Sequence, residues 1–219
     1  MLTGEYNSGN NTAIEIPKLD MGLTVIVAIK ESDSSVLLAA DGEVLEGDAI
    51  REVKAKLRKH PSAPLAWGAT GNTTIDYDFT KWLQEYAWPP SNEDVFREQL
   101  INKLSELNGK QRELTSLAKA QIKEDYLCSV SLVGYLNKLM LLELDDVGRA
   151  SLYDGIGFQA IGSGKGHAWI AYKMLKTASD LSQLNKLKII MQTVITTAPR
   201  CGLPIEIWRV TEKGIETIT

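Results

Sequence analysis

Three side chains within the first 56 residues could together carry out nucleophilic chemistry. Thr24 opens an apolar strand, Asp41 ends the next apolar run, and Lys56 follows at a spacing that lets further strands fold back beside the first. Threonine is a weak nucleophile near neutral pH, and one way to activate it is to use its own backbone amine as the general base. The sequence therefore predicts a threonine nucleophile, provided that Thr24 becomes an N-terminus.

The surroundings of these residues allow a functional and an ordinary interpretation. Strand alternation would place Lys54, Lys56 and Arg58 on one face, and a lysine paired with Asp41 would lower the pKa of a nearby amine. A solvated strand edge would explain the same lysines, and a simple turn before Gly42 would explain Asp41. Gly68 could supply an N–H group to an oxyanion, or it could merely turn the chain.

Composition restricts the class of protein. The chain has 219 residues, which is enough for one large domain with a substantial core. Its net charge is −4, so it has no basic surface field that would attract nucleic acid or an anionic membrane. We therefore expect small or peptidic partners rather than nucleic acid or a membrane. No apolar run is long enough to span a bilayer, and the first residues lack the features of a secretory signal. Two cysteines form no disulfide framework, so a cytoplasmic location is predicted.

Other catalytic and cofactor motifs are weak. The only histidines, His60 and His167, are far apart, and no cysteine pair has metal-ligand spacing, so neither a metal nor a cofactor is predicted. The run from Gly162 to Gly166 lacks the spacing of a nucleophile elbow and of a phosphate-binding loop. Cys128 is interpreted as a core residue, and Cys201 as a loop residue without an evident base.

The order of elements predicts the fold class. Residues 1–20 are interpreted as a leader or propeptide-like arm, and residues 21–219 as one domain. Paired strands separated by paired helices favour an α+β fold, a four-layer α/β/β/α sandwich of two antiparallel sheets. Strands are predicted at 23–29, 35–40, 53–59, 64–69, 127–136, 138–144, 158–161, 205–211 and 214–218. Helices are predicted where apolar residues recur at helical spacing: from Phe96 to Leu117, from the Gly-Ser-Gly turn through Met174, and from Leu184 to Val194. Gly109 could interrupt the first of these helices.

Five motifs in order carry a family resemblance. They are TVIVAI from Thr24, LLAADGEVLEGD around Asp41, KAKL, AWGATGN around Gly68, and QAIGSG before a helix. Together they resemble a proteasome β-type subunit or its bacterial ATP-dependent relative, over about residues 22–218. The resemblance implies an N-terminal nucleophile hydrolase fold and threonine-type proteolysis of peptides or unfolded proteins. It also implies self-association into stacked rings, with an ATPase unfoldase as a further partner.

The resemblance also implies roles for individual residues. Thr24 matches the nucleophile, and Asp41 and Lys56 match the pair that tunes it. Gly68 matches the oxyanion N–H donor and Ser163 the supporting hydroxyl. Matching Lys56 to the family's lysine requires a one-residue alignment gap in the loop after Asp41, and Lys56 is better placed for this role than Lys54.

Several positions depart from the family pattern. Family precursors that cleave themselves usually have Gly directly before the Thr, where this chain has Leu23. Ala198 and Cys201 stand where many proteasome subunits have an Asp and a Ser that hold the amine of the nucleophile. Translation from Met21 would leave Thr24 blocked by two residues. Without a free α-amine, whose ordinary pKa of about 7.7–8.0 suits a general base, activity would be slight or absent.

Three hypotheses about function therefore remain. The first is a threonine peptidase acting through Thr24, the second is a non-catalytic ring subunit of the same fold that keeps its leader, and the third is a different amidase. If Lys54 and Arg58 share the face of Lys56, a substrate pocket near Val44, Ala66 and Thr70 would be basic. Acidic or polar side chains would then be preferred before the cleaved bond.

Overall fold

Two antiparallel sheets covered by helices form the fold. The computed structural model describes residues 21–22, 24–46, 49–53, 55–117, 127–198 and 201–218. The predicted leader at residues 1–20, Leu23 and Lys54 lie outside the described residues. The strands are β1 (Met21–Gly22), β2 (Val25–Ser32), β3 (Ser35–Asp41), β4 (Glu43–Glu46), β5 (Ala49–Val53), β6 (Leu57–Lys59), β7 (Leu65–Asn72), β8 (Cys128–Leu136), β9 (Lys138–Leu144), β10 (Ala150–Leu152), β11 (Phe158–Gly162), β12 (Ile205–Thr211) and β13 (Gly214–Ile218). The helices are α1 (Thr73–Gln84), α2 (Glu93–Leu117), α3 (Lys165–Leu175) and α4 (Gln183–Thr197).

The strand order places the candidate site where the two sheets meet. The first sheet has the order β1-β7-β8-β9-β10, with β6 also paired to β7, and the second has the order β11-β2-β3-β12-β13. A separate hairpin joins β4 to β5. Every described pairing is antiparallel, including the central β7–β8 and β2–β3 pairs.

Three apolar clusters define the four layers. One cluster packs β2, β3 and β11 against α3 and α4, and a second packs β7, β8 and β9 against α1 and α2. The third lies between the two sheets and includes Ile26, Leu38, Leu57 and Val133. The predicted α/β/β/α sandwich is therefore confirmed.

The central strands are apolar along their whole length because both of their faces are covered. In β2, Val25, Val27 and Ile29 face the helices, whereas Ile26 and Ala28 face the other sheet. Strand β3 alternates in the same way and is buried at every position. This burial on both faces explains why these segments are continuous hydrophobic runs that end only at the polar site residues.

The sequence prediction missed or misplaced several elements. It did not include α1, which Asn72 caps by accepting hydrogen bonds from Thr74 N at 2.9 Å and Ile75 N at 3.1 Å. It also missed the β4–β5 hairpin and β10. The predicted strand 53–59 is divided into the end of β5 and the short β6, so Lys56 precedes a strand. The interruption at Gly109 is wrong, because α2 continues through it.

The described helices include no candidate for a membrane span, since none combines the required length with the required apolar character.

One ion pair across the second sheet should make stability depend on pH. The Arg209 guanidinium donates to both Glu31 carboxylate oxygens, at 2.7 and 2.9 Å. These bonds hold the pKa of Glu31 below its ordinary 4.5, against the opposing effect of burial. A depressed folded-state pKa contributes stability that is present above the unfolded-state value and lost as pH falls through the folded-state value.

We therefore expect Glu31→Gln to lower the free energy of unfolding by about 1 kcal/mol at neutral pH. The difference from the parent should shrink as pH falls from 4.5 through the lower folded-state pKa, because Glu31 then becomes protonated in the folded parent as well. Urea titrations over this pH range measure it. Lys176→Met, a change at an exposed lysine outside this ion pair, is the control and should leave the pH dependence unchanged. A pH-independent loss in Glu31→Gln would contradict the expectation.

Candidate active site

A buried carboxylate organises the candidate site. Asp41, at the end of β3, is 1% exposed. Its Oδ1 accepts hydrogen bonds from Lys56 Nζ at 2.9 Å and from the backbone N–H of Val25 at 2.9 Å. Its Oδ2 accepts a third bond from Gly202 N at 3.2 Å. Charge-assisted bonds of this kind are the strong ones in proteins, so the carboxylate, the ammonium and the residue after Thr24 are held in one cluster.

Thr24 lies directly before β2 and is buried. Ser163 Oγ donates to the Thr24 carbonyl at 3.4 Å, which places the predicted supporting hydroxyl beside the predicted nucleophile. Gly162 pairs with Val25 in the sheet and has φ of +89°. A Cβ on Gly162 would stand 1.9 Å from the Thr24 carbonyl oxygen, so this position requires glycine for both backbone shape and space.

Gly68 occupies the middle of β7 and faces the second sheet. A Cβ there would lie 2.5 Å from Cδ1 of Ile26, the second residue after Thr24. Close packing of the two sheets is therefore sufficient to explain this glycine. Its predicted role as an oxyanion donor stays a prediction.

The four predicted pocket residues have different outcomes. Lys54 lies outside the described residues, and Val44 belongs to β4. Ala66 is fully buried between the sheets and does not face an open pocket. Thr70 is half-buried, and its Cγ2 lies 3.0 Å from the point where a Cβ on Gly162 would stand, so it borders the Thr24 carbonyl.

The predicted common face of Lys56 and Arg58 is wrong. The Arg58 guanidinium bonds back to the carbonyls of Ala55 and Leu57. Its charge also acts on Asp76 of α1, where burial raises the pKa of the carboxyl and Arg58 opposes that rise. Lys56, in contrast, precedes the strand and reaches across to Asp41 in the second sheet. Arg58 therefore adds no positive charge beside Thr24.

A polar cavity of about 510 Å³ borders Gly162. Its charged side chains are largely matched, since Lys165 pairs with Glu143 at 2.7 Å and Arg149 pairs with Asp145 at 2.7 Å. Burial, together with the neighbouring Glu143 carboxylate, raises the pKa of the Tyr153 hydroxyl to about 12. The cavity beside the candidate site is therefore polar, and most of its positive and negative side chains are paired with each other.

The residues just before Thr24 form an added strand on the first sheet. In β1, Met21 pairs with Asn72 and Gly22 pairs with Gly71. Strand β8 covers one edge of β7, and β6 pairs with residues 66–68. Strands β1 and β6 therefore share the remaining edge of β7, with Ala69 and Thr70 between them.

Of the two departing positions near the end of α4, Cys201 contacts a predicted site residue. Ala198 ends α4 as its C-cap and is buried. Cys201 is also buried, and its Sγ lies 3.8 Å from Ser163 Oγ. No sequence pattern pointed to Gly202, whose N–H group bonds to Asp41, because that contact joins residues 161 positions apart.

The fold is that of proteasome β-type, N-terminal nucleophile hydrolase subunits, and the resemblance inferred from the motifs is confirmed at the level of fold. Among solved structures, the chain is similar to Anbu (ancestral beta-subunit) from Yersinia bercovieri, with a TM-score of 0.67 and 17% identity, covering 89% of this chain and 87% of that one. It is also similar to eukaryotic HslV from Trypanosoma brucei, with a TM-score of 0.62 and 20% identity, covering 85% and 99% respectively. No protein-family model and no curated protein sequence matches the chain.

Proposed function

We propose that the protein is a threonine-type endopeptidase subunit whose nucleophile is Thr24 after removal of residues 1–23. The observation that carries the proposal is the buried contact of 2.9 Å between Lys56 Nζ and Asp41 Oδ1, with the same oxygen bound to the N–H of Val25. A charged pair buried directly beside a threonine is costly unless it is well bonded, and such pairs are typical of sites that tune a nucleophile.

The proposed reaction uses the chain's own groups. The freed α-amine of Thr24 takes the proton of its hydroxyl, and Oγ1 attacks the carbonyl carbon of the substrate peptide. The resulting oxyanion is held by the N–H of Gly68. The C–N bond then breaks, the amine leaves with the proton, and water hydrolyses the ester on Thr24. Ser163 orients the Thr24 carbonyl, and the Lys56 ammonium favours the free-base form of the amine.

The proposal includes an assembly and a location. Residues 1–20 would be a removable arm and residues 21–219 a single domain that self-associates into a ring in the cytoplasm. Similarity to a protein described as an ancestral beta-subunit supports the ring. The substrates would be peptides or unfolded proteins, and an ATPase unfoldase would deliver them. The edge of β7 at Ala69 and Thr70, which lies between β1 and β6 among the described strands, would receive the substrate in extended form.

A second function is favoured by a specific observation. Because Met21 and Gly22 are built into the first sheet, the segment before Thr24 has a defined structural place in the uncut chain. A non-catalytic ring subunit that keeps its leader would use this strand permanently. Ala198 and Cys201 at the departing positions are consistent with that alternative.

Intact mass spectrometry of the protein purified from its own cells separates the two functions. A main species that begins at Thr24 is expected for the peptidase, with a threonine-directed epoxyketone adding its mass to that species. A preparation in which residues 1–23 persist and the epoxyketone does not react would favour the non-catalytic subunit. The Thr24→Ala variant is the control, because it should keep its leader and bind no epoxyketone.

A further inference from the structure

The segment from Cys201 to Pro204, here called the tie segment, contacts the candidate site on two sides. The N–H of Gly202 donates to Asp41 Oδ2 at 3.2 Å. One residue earlier, Cys201 Sγ lies 3.8 Å from Ser163 Oγ, which in turn bonds to the Thr24 carbonyl. A stretch of chain that follows α4 therefore touches both the charged and the neutral partner of Thr24.

Gly42 fixes the tie segment beside Asp41. The N–H of Gly42 donates to the Gly202 carbonyl at 3.2 Å, so residues 41 and 42 both bond to Gly202. A Cβ on Gly42 would stand 2.5 Å from Pro204 Cδ and 2.8 Å from the Pro204 carbonyl oxygen. Backbone atoms cannot give way as the end of a flexible side chain does, so any larger residue at position 42 must displace the segment.

The bond from Gly202 restricts how the Asp41 carboxylate can turn. Oδ1 already accepts from Lys56 Nζ and Val25 N, and Oδ2 is directed to Gly202. With both oxygens held, the plane of the carboxylate is fixed, and so is the point that the Lys56 ammonium can occupy. A site of this kind works only when the supporting contacts hold its charged groups to within a fraction of an ångström.

We propose that Gly42 is a positioning residue and that the tie segment, seated on it, sets the orientation of the Asp41–Lys56 pair. The effect on turnover rests on the proposed peptidase function. The effect on the accessibility of Lys56 does not, because it follows from the geometry alone.

The test is Gly42→Ala, with Gly155→Ala as the matched control because a Cβ on Gly155 meets no atom within 4 Å. Reductive methylation followed by peptide mass spectrometry measures the labelling rate of Lys56, with the exposed Lys59 as internal reference. We expect Lys56 in Gly42→Ala to label at least about fivefold faster than in the parent chain, and Gly155→Ala to match the parent. A Lys56 rate within about twofold of the parent would overturn the proposal.

A second variant and a turnover measurement complete the test of the tie segment. If Gly42→Ala does not fold, Leu203→Gly loosens the tie segment at an exposed side chain, and unchanged Lys56 labelling in that variant overturns the proposal. In a chain cut at Thr24, Gly42→Ala should lower kcat by about tenfold with KM within about twofold, because a misplaced pair affects the transition state more than binding. If the cut parent chain is inactive, the peptidase function fails, while Lys56 labelling still decides the role of the tie segment.

Discussion

Replacing Lys56 by Met should lower the free energy of unfolding by about 3 kcal/mol, a large share of the stability of a typical domain. The Lys56 and Asp41 side chains are 8% and 0% exposed, and their charged atoms are 2.9 Å apart. Removing one member of a buried pair leaves the charge of the other in a medium that solvates it poorly. Asp41 keeps the N–H donors of Val25 and Gly202, which limits the loss.

Asp41→Asn should be at least as damaging as Lys56→Met. It removes the carboxylate that neutralises the buried ammonium, and it weakens two backbone hydrogen bonds at the same time. The double variant Asp41→Asn/Lys56→Met should lose less than the sum of the single variants, with a coupling of about 1–3 kcal/mol.

Urea titration followed by tryptophan fluorescence measures all three variants. Lys110→Met is the matched control, because its pair with Glu106 on α2 is 2.5 Å long but both side chains are well exposed, and its unfolding midpoint should not change. If Lys56→Met were as stable as Lys110→Met, the pair would not be held in a dry, well-bonded site, and the proposed tuning of Thr24 would lose its physical basis.

The layers of the fold could be predicted because local patterns report burial. Val25–Ile29 and Val36–Ala40 are continuous apolar runs, and the structure buries both faces of each. The helical spacing of Phe96, Leu100 and Leu104 likewise predicts the buried face of α2. The spacing of apolar residues predicts which face of a strand or helix is buried. The arrangement in layers can therefore be predicted without knowing which elements pack against each other.

The parts that were not predicted depend on contacts between distant segments. Strand alternation placed Arg58 with Lys56, but Lys56 precedes β6 and bonds to Asp41 of the second sheet, whereas the Arg58 charge acts on Asp76 of α1. Likewise, no local pattern indicates that Gly202 donates to Asp41. The sequence suggested the residue types of the site. The third donor to the Asp41 carboxylate comes from the segment after α4, whose position beside β3 depends on long-range packing.

Cleavage of the peptide bond before Thr24 should raise the peptidase activity of the chain by orders of magnitude. A chain that begins at Thr24, made by removing an N-terminal ubiquitin fusion, should hydrolyse fluorogenic peptides on the order of 10³-fold faster than the full-length chain. In the full-length chain the nitrogen of Thr24 is part of a peptide bond and accepts no proton. The terminal amine, with an ordinary pKa of about 7.7–8.0, can act as the base.

Two variants of the trimmed chain separate the amine from the hydroxyl. Thr24→Ser keeps both groups and should retain measurable turnover, whereas Thr24→Ala keeps the amine but has no nucleophile and should fall to background. Equal turnover in Thr24→Ala and the trimmed parent would exclude Thr24 as the nucleophile.

Loss of residues 1–23 also removes β1 from the edge of β7 at Gly71 and Asn72. An inactive trimmed chain that still folds would therefore assign this strand to a permanent structural role in a non-catalytic subunit.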